Sequence, residues 1–340
     1  MKYPYKKAHL VFSVLFAMIC TFSGIAGETG SLGTSNVTQA QDLIYRAYKY
    51  RLKGRFRDAE AVLRNGMQEL SLEKGRDVQV AGLKVELARV IIRKNFHNNT
   101  SDEEALRLYR DAEEIAKKAE NKGLLGKALY GIGFYKFKLG SKSWDNALAS
   151  LYKSLKIRRE IGDTFGISQS LFTIGTIYQR RGKAEAAEKI YEESLQLAKD
   201  AKSIYMEGEN ERHIGYLFYL RGEFDSALPH FFRSLEKRRT IGYDDGEIFA
   251  LITIGQTYEK LGDLEKAKRY LKKALPIARS INSRVAQTRI YASLGSVFYD
   301  QKKTEKARIS LNKAKQYATL IGYTSTVKGV QELLEKLEEN

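Results

Sequence analysis

"TIGTIYQRRGKAEAAEKIYEESL" occupies residues 173–195 and sets a glycine, Gly175, inside a run whose other residues favour helix. An interior glycine costs a helix roughly 0.5–1 kcal/mol relative to alanine. Tyr178, Gly182, Ala187 and Tyr191 follow it at fixed distances, and the whole phrase returns. "HIGYLFYLRGEFDSALPHFFRSL" (213–235) carries Gly215, "TIGQTYEKLGDLEKAKRYLKKAL" (253–275) carries Gly255, and "SLGSVFYDQKKTEKARISLNKA" (293–314) carries Gly295. The four anchors stand 40 residues apart. Upstream, "GIGFYKFKLGSKSWDNALASLYKSL" (131–155) sets Gly133 42 residues before Gly175. Two further copies use alanine: Ala88 in "ELARVIIRKNFHNNTSDEEALRLYRDA" (86–112) and Ala47 in "YRAYKYRLKGRFRDAEAVLRNG" (45–66). A fixed period of this size predicts stacked repeat units.

Each unit divides into two helical segments. In the Gly175 unit, helix A spans about 164–181 and helix B about 184–201, with the break at Gly182. Gly54, Gly140, Gly222 and Gly262 hold the same place, which suits a helix terminus. On helix A the offsets −4, −1, 0 and +3 from the anchor share one stripe: Leu171, Ile174, Gly175, Tyr178; Leu251, Ile254, Gly255, Tyr258; Tyr291, Leu294, Gly295, Phe298. On helix B, Ala187, Tyr191 and Ser194 repeat as Ala227, Phe231, Ser234 and as Ala267, Leu271, Ala274. Small residues alternate with large ones, so the anchor glycine admits a neighbouring helix at close range. Five such glycines cost about 3–5 kcal/mol in propensity. Each buried aromatic side chain returns a few kcal/mol, so close packing wins.

The pattern L/I-G-x-x-Y followed by A-x-x-x-F/Y resembles the tetratricopeptide repeat (TPR). The usual period is 34, and 40 is a departure. The longer unit resembles the repeats of kinesin light chain, of the Leu-Gly-Asn-repeat spindle adaptors and of exported bacterial TPR sensor domains. Connectors such as "LKIRREIGDTFG" (155–166) and "LEKRRTIGYDDG" (235–246) carry much of that likeness. The family's terminal proline is mostly missing; Pro276 lies near the right place in one unit. The resemblance implies an all-α fold, a right-handed α-solenoid of about seven helix pairs plus a C-terminal capping helix over 323–340. It also implies an open spiral whose helices A line a concave trough. "HNNTS" (97–101) and "SKSW" (141–144) lengthen two units and are expected as loop excursions on one rim. Trp144 there either contacts a partner or packs locally on helix B.

The ends add a second layer. Lys2, Lys6 and Lys7 precede the apolar run "LVFSVLFAMICTF" (10–22), and "GIA" (24–26) offers a cleavage site. This is the form of a secretory signal peptide over 1–26, followed by a flexible spacer over 27–37 and the solenoid over 38–322. The expected location is exported, periplasmic or secreted, with an uncleaved membrane anchor as the alternative. The chain of 340 residues has 58 Lys and Arg against 41 Asp and Glu, a net charge of +17. Its one cysteine, Cys20, lies in the leader, so the exported part would have neither a disulfide nor a thiol nucleophile. No later apolar run reaches 18 residues, so no membrane span is expected after the leader.

Function is expected on the face of helix A turned from the core, at offsets −3, +1, +4 and +5. The candidate peptide-groove residues are Tyr48, Arg51, Arg89, Arg93, Tyr130, Phe134, Lys138, Thr176, Arg180, Arg212, Tyr216, Tyr219, Gln256, Lys260 and Tyr299. Aromatic residues and arginine are the types that carry interface energy. Arg93, Lys138, Arg180 and Lys260 would form a basic stripe suited to an acidic peptide segment of a protein partner. Nucleic acid is not favoured, since no base-reading or stacking module is present. His97, His213 and His230 form no H-E-x-x-H pair, and "GLLGKA" (123–128) and "RRGKAE" (180–185) lack the spacing of a phosphate loop. His213, at offset −2, is expected on the rim. No enzyme, cofactor or metal is expected. The reading is a non-catalytic protein-interaction scaffold. The alternatives are an electrostatic binder of anionic cell-surface polymer or membrane surface, and the sensory component of a signalling system whose output lies on another chain.

Overall fold

A computed structural model describes residues 37–98 and 102–338. The expected leader, most of the spacer and residues 99–101 lie outside the described residues. Within them the chain forms seven helical hairpins and a last helix. The hairpins are α1 (Val37–Leu52) with α2 (Phe56–Ser71), α3 (Asp77–Asn98) with α4 (Glu103–Lys118), and α5 (Lys122–Lys138) with α6 (Trp144–Glu160). Then come α7 (Thr164–Arg180) with α8 (Ala184–Asp200), α9 (Ile204–Leu220) with α10 (Phe224–Thr240), α11 (Asp244–Lys260) with α12 (Leu264–Ser280), and α13 (Arg284–Asp300) with α14 (Thr304–Leu320). Helix α15 (Thr324–Glu338) lays Val330, Leu334 and Leu337 on the core of the last hairpins. Each helix packs chiefly against its neighbours in the chain, as in a solenoid.

The 40-residue period has a simple origin. Helices α7 to α14 are 17 residues each, and the turns joining them are three residues long. The turns close through a residue in the left-handed region, where glycine carries no Cβ penalty: Gly182 has φ 74° and Gly262 φ 80°. The last hairpin lacks the glycine, and Lys302 takes the same place at φ 56°. Several helix starts are capped by a side-chain acceptor, though Asp102 and Ser143 hold the same position without capping. Asp163, Ser203, Asp263 and Ser283 accept the backbone N–H three residues on. Pro276 sits inside α12 and ends nothing.

The interior glycines face helix B of their own hairpin. A Cβ at Gly175 would lie 3.0 Å from the Tyr191 ring, at Gly255 2.8 Å from Leu271 Cγ, and at Gly133 2.7 Å from Leu151 Cγ. The large side chain on helix B therefore fills the notch left by the missing methyl. The small serines beside it add hydrogen bonds: Ser194 Oγ donates to Ser168 O at 2.8 Å and Ser234 Oγ to Gly208 O at 2.7 Å. The two arginine-bearing connectors lock hairpin to hairpin. Arg158 and Arg238 are almost wholly buried and donate to the carbonyls of Gly166 and Gly246, each at 2.6 Å.

The stack coils until its beginning meets its end, which the expectation of an open spiral did not include. Arg93 of α3 forms an ion pair with Asp245 at the start of α11, and His97 Nε2 lies 3.1 Å from the other carboxylate oxygen. His97 Nδ1 is 2.6 Å from Ser283 Oγ, Phe96 meets Phe249 edge-on at 5.8 Å, and Lys53 pairs with Asp244 at 2.9 Å. Asp245 is fully buried. Burial alone raises its pKa, but Arg93 and His97 outweigh that and hold the carboxyl well below the usual range. Residue 97 is accordingly not part of a rim loop: α3 runs on to Asn98 and buries the imidazole in the closure. At 141–143 the lengthened unit does form a separate 3-10 turn.

Two outcomes follow from this packing. Gly255→Ala lowers the unfolding free energy by about 1–3 kcal/mol, because Leu271 must move. Gly82→Ala in α3, where an added Cβ meets nothing within 4 Å, raises it by roughly 0.5–1 kcal/mol. Urea titrations followed by circular dichroism compare the two. Asp245→Ala removes the buried carboxylate that Arg93 pairs with and costs about 3–5 kcal/mol, read as a lower melting temperature and a larger maximum dimension in X-ray scattering. Since the folded pKa lies well below the reference value of 3.8, the closure's contribution is complete above that value and is lost progressively as pH falls from it through the folded pKa. Wild type therefore expands only well below about pH 4, with no matching step in Asp245→Ala.

Candidate functional site

Closure converts the concave face into an internal channel with a cavity of about 1470 Å³. The channel crosses the A helices on a diagonal. It uses the C-terminal halves of α1, α3 and α5, nearly the full length of α7 and α9, and the N-terminal portions of α11 and α13. The diagonal follows from superhelical pitch: each hairpin is displaced along the axis relative to the one before.

Thirteen of the fifteen groove residues expected from sequence line the channel: Tyr48, Arg51, Arg89, Arg93, Tyr130, Phe134, Lys138, Thr176, Arg180, Arg212, Tyr216, Tyr219 and Gln256. Lys260 and Tyr299 do not. Both sit at the C-terminal ends of late A helices, which the diagonal has already left; Lys260 is exposed and Tyr299 packs on the core of the last hairpins. Conversely, Gln169, Glu209, Phe249 and Arg289, at offset −6, and Phe165 and Tyr205, at offset −10, line the channel without having been expected. Their signal was present. Offsets −10, −6, −3 and +1 continue one helical face at the 3.6-residue period.

The charges sort into two kinds. Arg51 and Arg89 share Glu86, at 3.4 and 3.2 Å. Arg93 is committed to Asp245, Lys138 pairs with Asp102, and Arg238 pairs with Glu209 at 2.7 Å. The expected basic stripe of Arg93, Lys138, Arg180 and Lys260 thus does not stand as a ligand-facing unit: two members are neutralised within the fold and one lies outside. Arg180, Arg212 and Arg289, by contrast, have no carboxylate within salt-bridge distance among the described residues. Arg180 lies over the Phe137 ring at 4.8 Å and Arg289 over the Phe249 ring at 5.7 Å. Burial, joined by Arg238 and Arg289 and opposed by Glu209, pushes the Arg212 pKa down to about 10. Burial and Arg289 also lower Arg180.

His213 is not a rim residue. It is buried in the channel wall. Arg212 Nη2 donates to its Nε2 at 2.6 Å, which assigns the proton to Nδ1, 3.0 Å from Gln179 Oε1. Burial and the neighbouring Arg212, Arg238 and Arg180 hold its pKa well below the usual histidine value, so the ring is neutral near pH 7. Tyr191 OH donates to the same Gln179 oxygen at 2.9 Å, while Gln179 Nε2 is buried without a hydrogen-bond partner. Trp144 packs locally, its Nε1 donating to Phe137 O at 3.3 Å. No group of three or more metal-ligating side chains occurs among the described residues, and no helix among them is long and apolar enough to cross a membrane.

Residues 124–200 and 209–280 match the tetratricopeptide-repeat family. Among curated relatives, response regulator aspartate phosphatase E of Bacillus subtilis is 26% identical over 52% of this chain and 47% of its own length. Outer dynein arm-docking complex subunit 4 of Bos taurus is 28% identical over 64% of this chain and 31% of its own. The chain thus spans half or less of the length of these relatives. Among solved structures, a Rap protein complexed with Competence and Sporulation Factor superposes with a TM-score of 0.63 at 16% identity, over 88% of this chain and 87% of the other. The Rap conjugation gene regulator of plasmid pLS20, in complex with the Phr* peptide, gives 0.63 at 13% identity, over 84% and 76%. At these identities the superpositions speak to the fold. Matched segments, repeat phase and hairpin architecture agree, and the chain carries tetratricopeptide repeats over residues 124–200 and 209–280.

Proposed function

We propose that this protein is a non-catalytic binding scaffold whose closed channel receives a peptide segment of a protein partner. The observation that carries the reading is the channel itself. It exposes Tyr216 (38%) and Leu220 (57%) inside a concavity, in a wall that also carries Arg180, Arg212 and Arg289, which form no salt bridge among the described residues. Apolar and cationic surface left bare within a cavity is surface arranged for a ligand. The volume exceeds the roughly 300–1,000 Å³ of small-molecule sites, which suits an extended peptide. The likeness to a Rap regulator solved with the Phr* peptide supports the same reading. The lysine-rich leader and apolar run support an exported location.

One observation favours a second reading. Lys266, Lys268, Arg269, Lys272 and Lys273 cluster on α12, away from the channel. Such a patch suits the surface of an anionic polymer or membrane. The sensory alternative is supported by the relatives named response regulator aspartate phosphatases, with output on another chain.

Selection of a displayed random heptapeptide library on the full chain tests the proposal. A shared consensus that survives moderate salt is the expected result. Its absence, with binding to an anionic polymer that disappears in salt and in a Lys268→Glu/Lys272→Glu variant, would replace the peptide reading by the electrostatic one.

A further inference from the structure

The excess positive charge of the channel is concentrated rather than spread. Arg180, Arg212 and Arg289 come from α7, α9 and α13, far apart in sequence, yet they line one cavity, and Arg289 acts electrostatically on both of the others. Each is also held in place. The Phe137 and Phe249 rings support Arg180 and Arg289 from one face, which leaves the edge N–H donors of the guanidinium free. Arg212 is fixed by donation to the neutral His213, itself tied to Gln179 and Tyr191. The amide Nε2 of Gln179 adds a buried donor without an acceptor. Four side chains of one cavity wall thus present N–H donors, and the carboxylate that acts on Arg212, Glu209, is itself paired with Arg238.

We propose that Arg180, Arg212, Arg289 and Gln179 form a carboxylate-binding centre that receives an acidic group of the bound peptide. The proposal rests on the reading of the channel as a peptide site and names the chemistry that site selects. A planar carboxylate accepts bidentate hydrogen bonds from a guanidinium fork, and its charge relieves the mutual repulsion of three cations. The carboxylate comes from an Asp or Glu side chain or from the peptide's C-terminus. His213 is a positioning residue: as an acceptor at Nε2 it aims Arg212, and it touches no ligand in this arrangement.

The test uses fluorescein-labelled heptapeptide pools with one position fixed as Asp, Glu, Asn or Gln, each made as free acid and as C-terminal amide, titrated into the full chain by anisotropy. Wild type is expected to bind the best acidic pool about 10–100-fold more tightly than its amide counterpart. The fixed-position comparison reports a side-chain source, and the acid–amide comparison a C-terminal one. Arg212→Gln/Arg289→Gln is expected to abolish this preference, so that acidic pools and their amide counterparts bind alike, whereas Lys260→Gln, outside the channel, keeps it. His213→Phe is expected to reduce the acid-to-amide ratio, a selectivity that a general loss of packing would not move. Arg289 is exposed, so Arg289→Gln alone serves should the double variant fail to fold, with thermal melting as the check. Peptide binding without any acid preference overturns the centre and leaves the peptide site standing. A preference that persists undiminished in the arginine variants also overturns it. Binding of no pool at all removes the peptide reading itself.

Discussion

The distance between the two helices of each hairpin governs everything above it. A helix carries no side chain at Gly133, Gly175, Gly215, Gly255 and Gly295, and its partner presses a Leu, Tyr or Phe into each gap. The contact is short because a hydrogen replaces a methyl. It repeats in one phase, so successive hairpins stack with one sense of displacement. Curvature and pitch are the sum of these identical steps. A solenoid whose units differed in this spacing would not return its α3 to the start of its α11.

That return is ionic at its heart. Asp245 is buried where two stretches of the coil touch, and it is stable there only because Arg93 and His97 arrive from the other stretch. A buried carboxylate deprived of its partners is costly. The contact therefore acts as a register mark between distant hairpins, with the aromatic pair Phe96 and Phe249 excluding water beside it. The channel volume exists because of this mark: the same A helices in an extended coil would bound a groove with no far wall.

Local and long-range order were not equally legible in the sequence. The hairpins could be read because they rest on contacts between residues about 16 apart, such as Gly175 with Tyr191, repeated often enough to reveal the phase. The turns could be read because Gly182 and its equivalents need a left-handed conformation. The closure could not. Arg93 and Asp245 are 152 positions apart and occur once, and Asp245 looks like an ordinary acid in a helix's first turn. The groove lay between these cases. Fixed offsets found Tyr130, Phe134 and Tyr216 but selected Lys260 and Tyr299 and passed over Phe249 and Arg289, since an offset counted from the anchor ignores the axial drift of each unit. His213 was misplaced for a related reason: offset −2 is a rim position on a straight stack and an inner wall position on a closed one.

The sorting of arginines carries the functional argument. Arg158 and Arg238 are consumed by backbone carbonyls and Arg51, Arg89 and Arg93 by carboxylates, so their charge serves the fold. Arg180, Arg212 and Arg289 form no salt bridge among the described residues, and Glu209, the carboxylate that acts on Arg212, is already paired with Arg238. Burial, joined by Arg238 and Arg289, pushes the Arg212 pKa down to about 10. That value still lies far above neutrality, so the guanidinium remains charged near pH 7 and the repulsion persists. A neutral histidine beside it lowers the cost without removing the charge, since Nε2 accepts a hydrogen bond that a protonated ring would refuse. Three cations on the wall of one cavity, two of them braced on aromatic rings, suit a ligand that brings an anionic group.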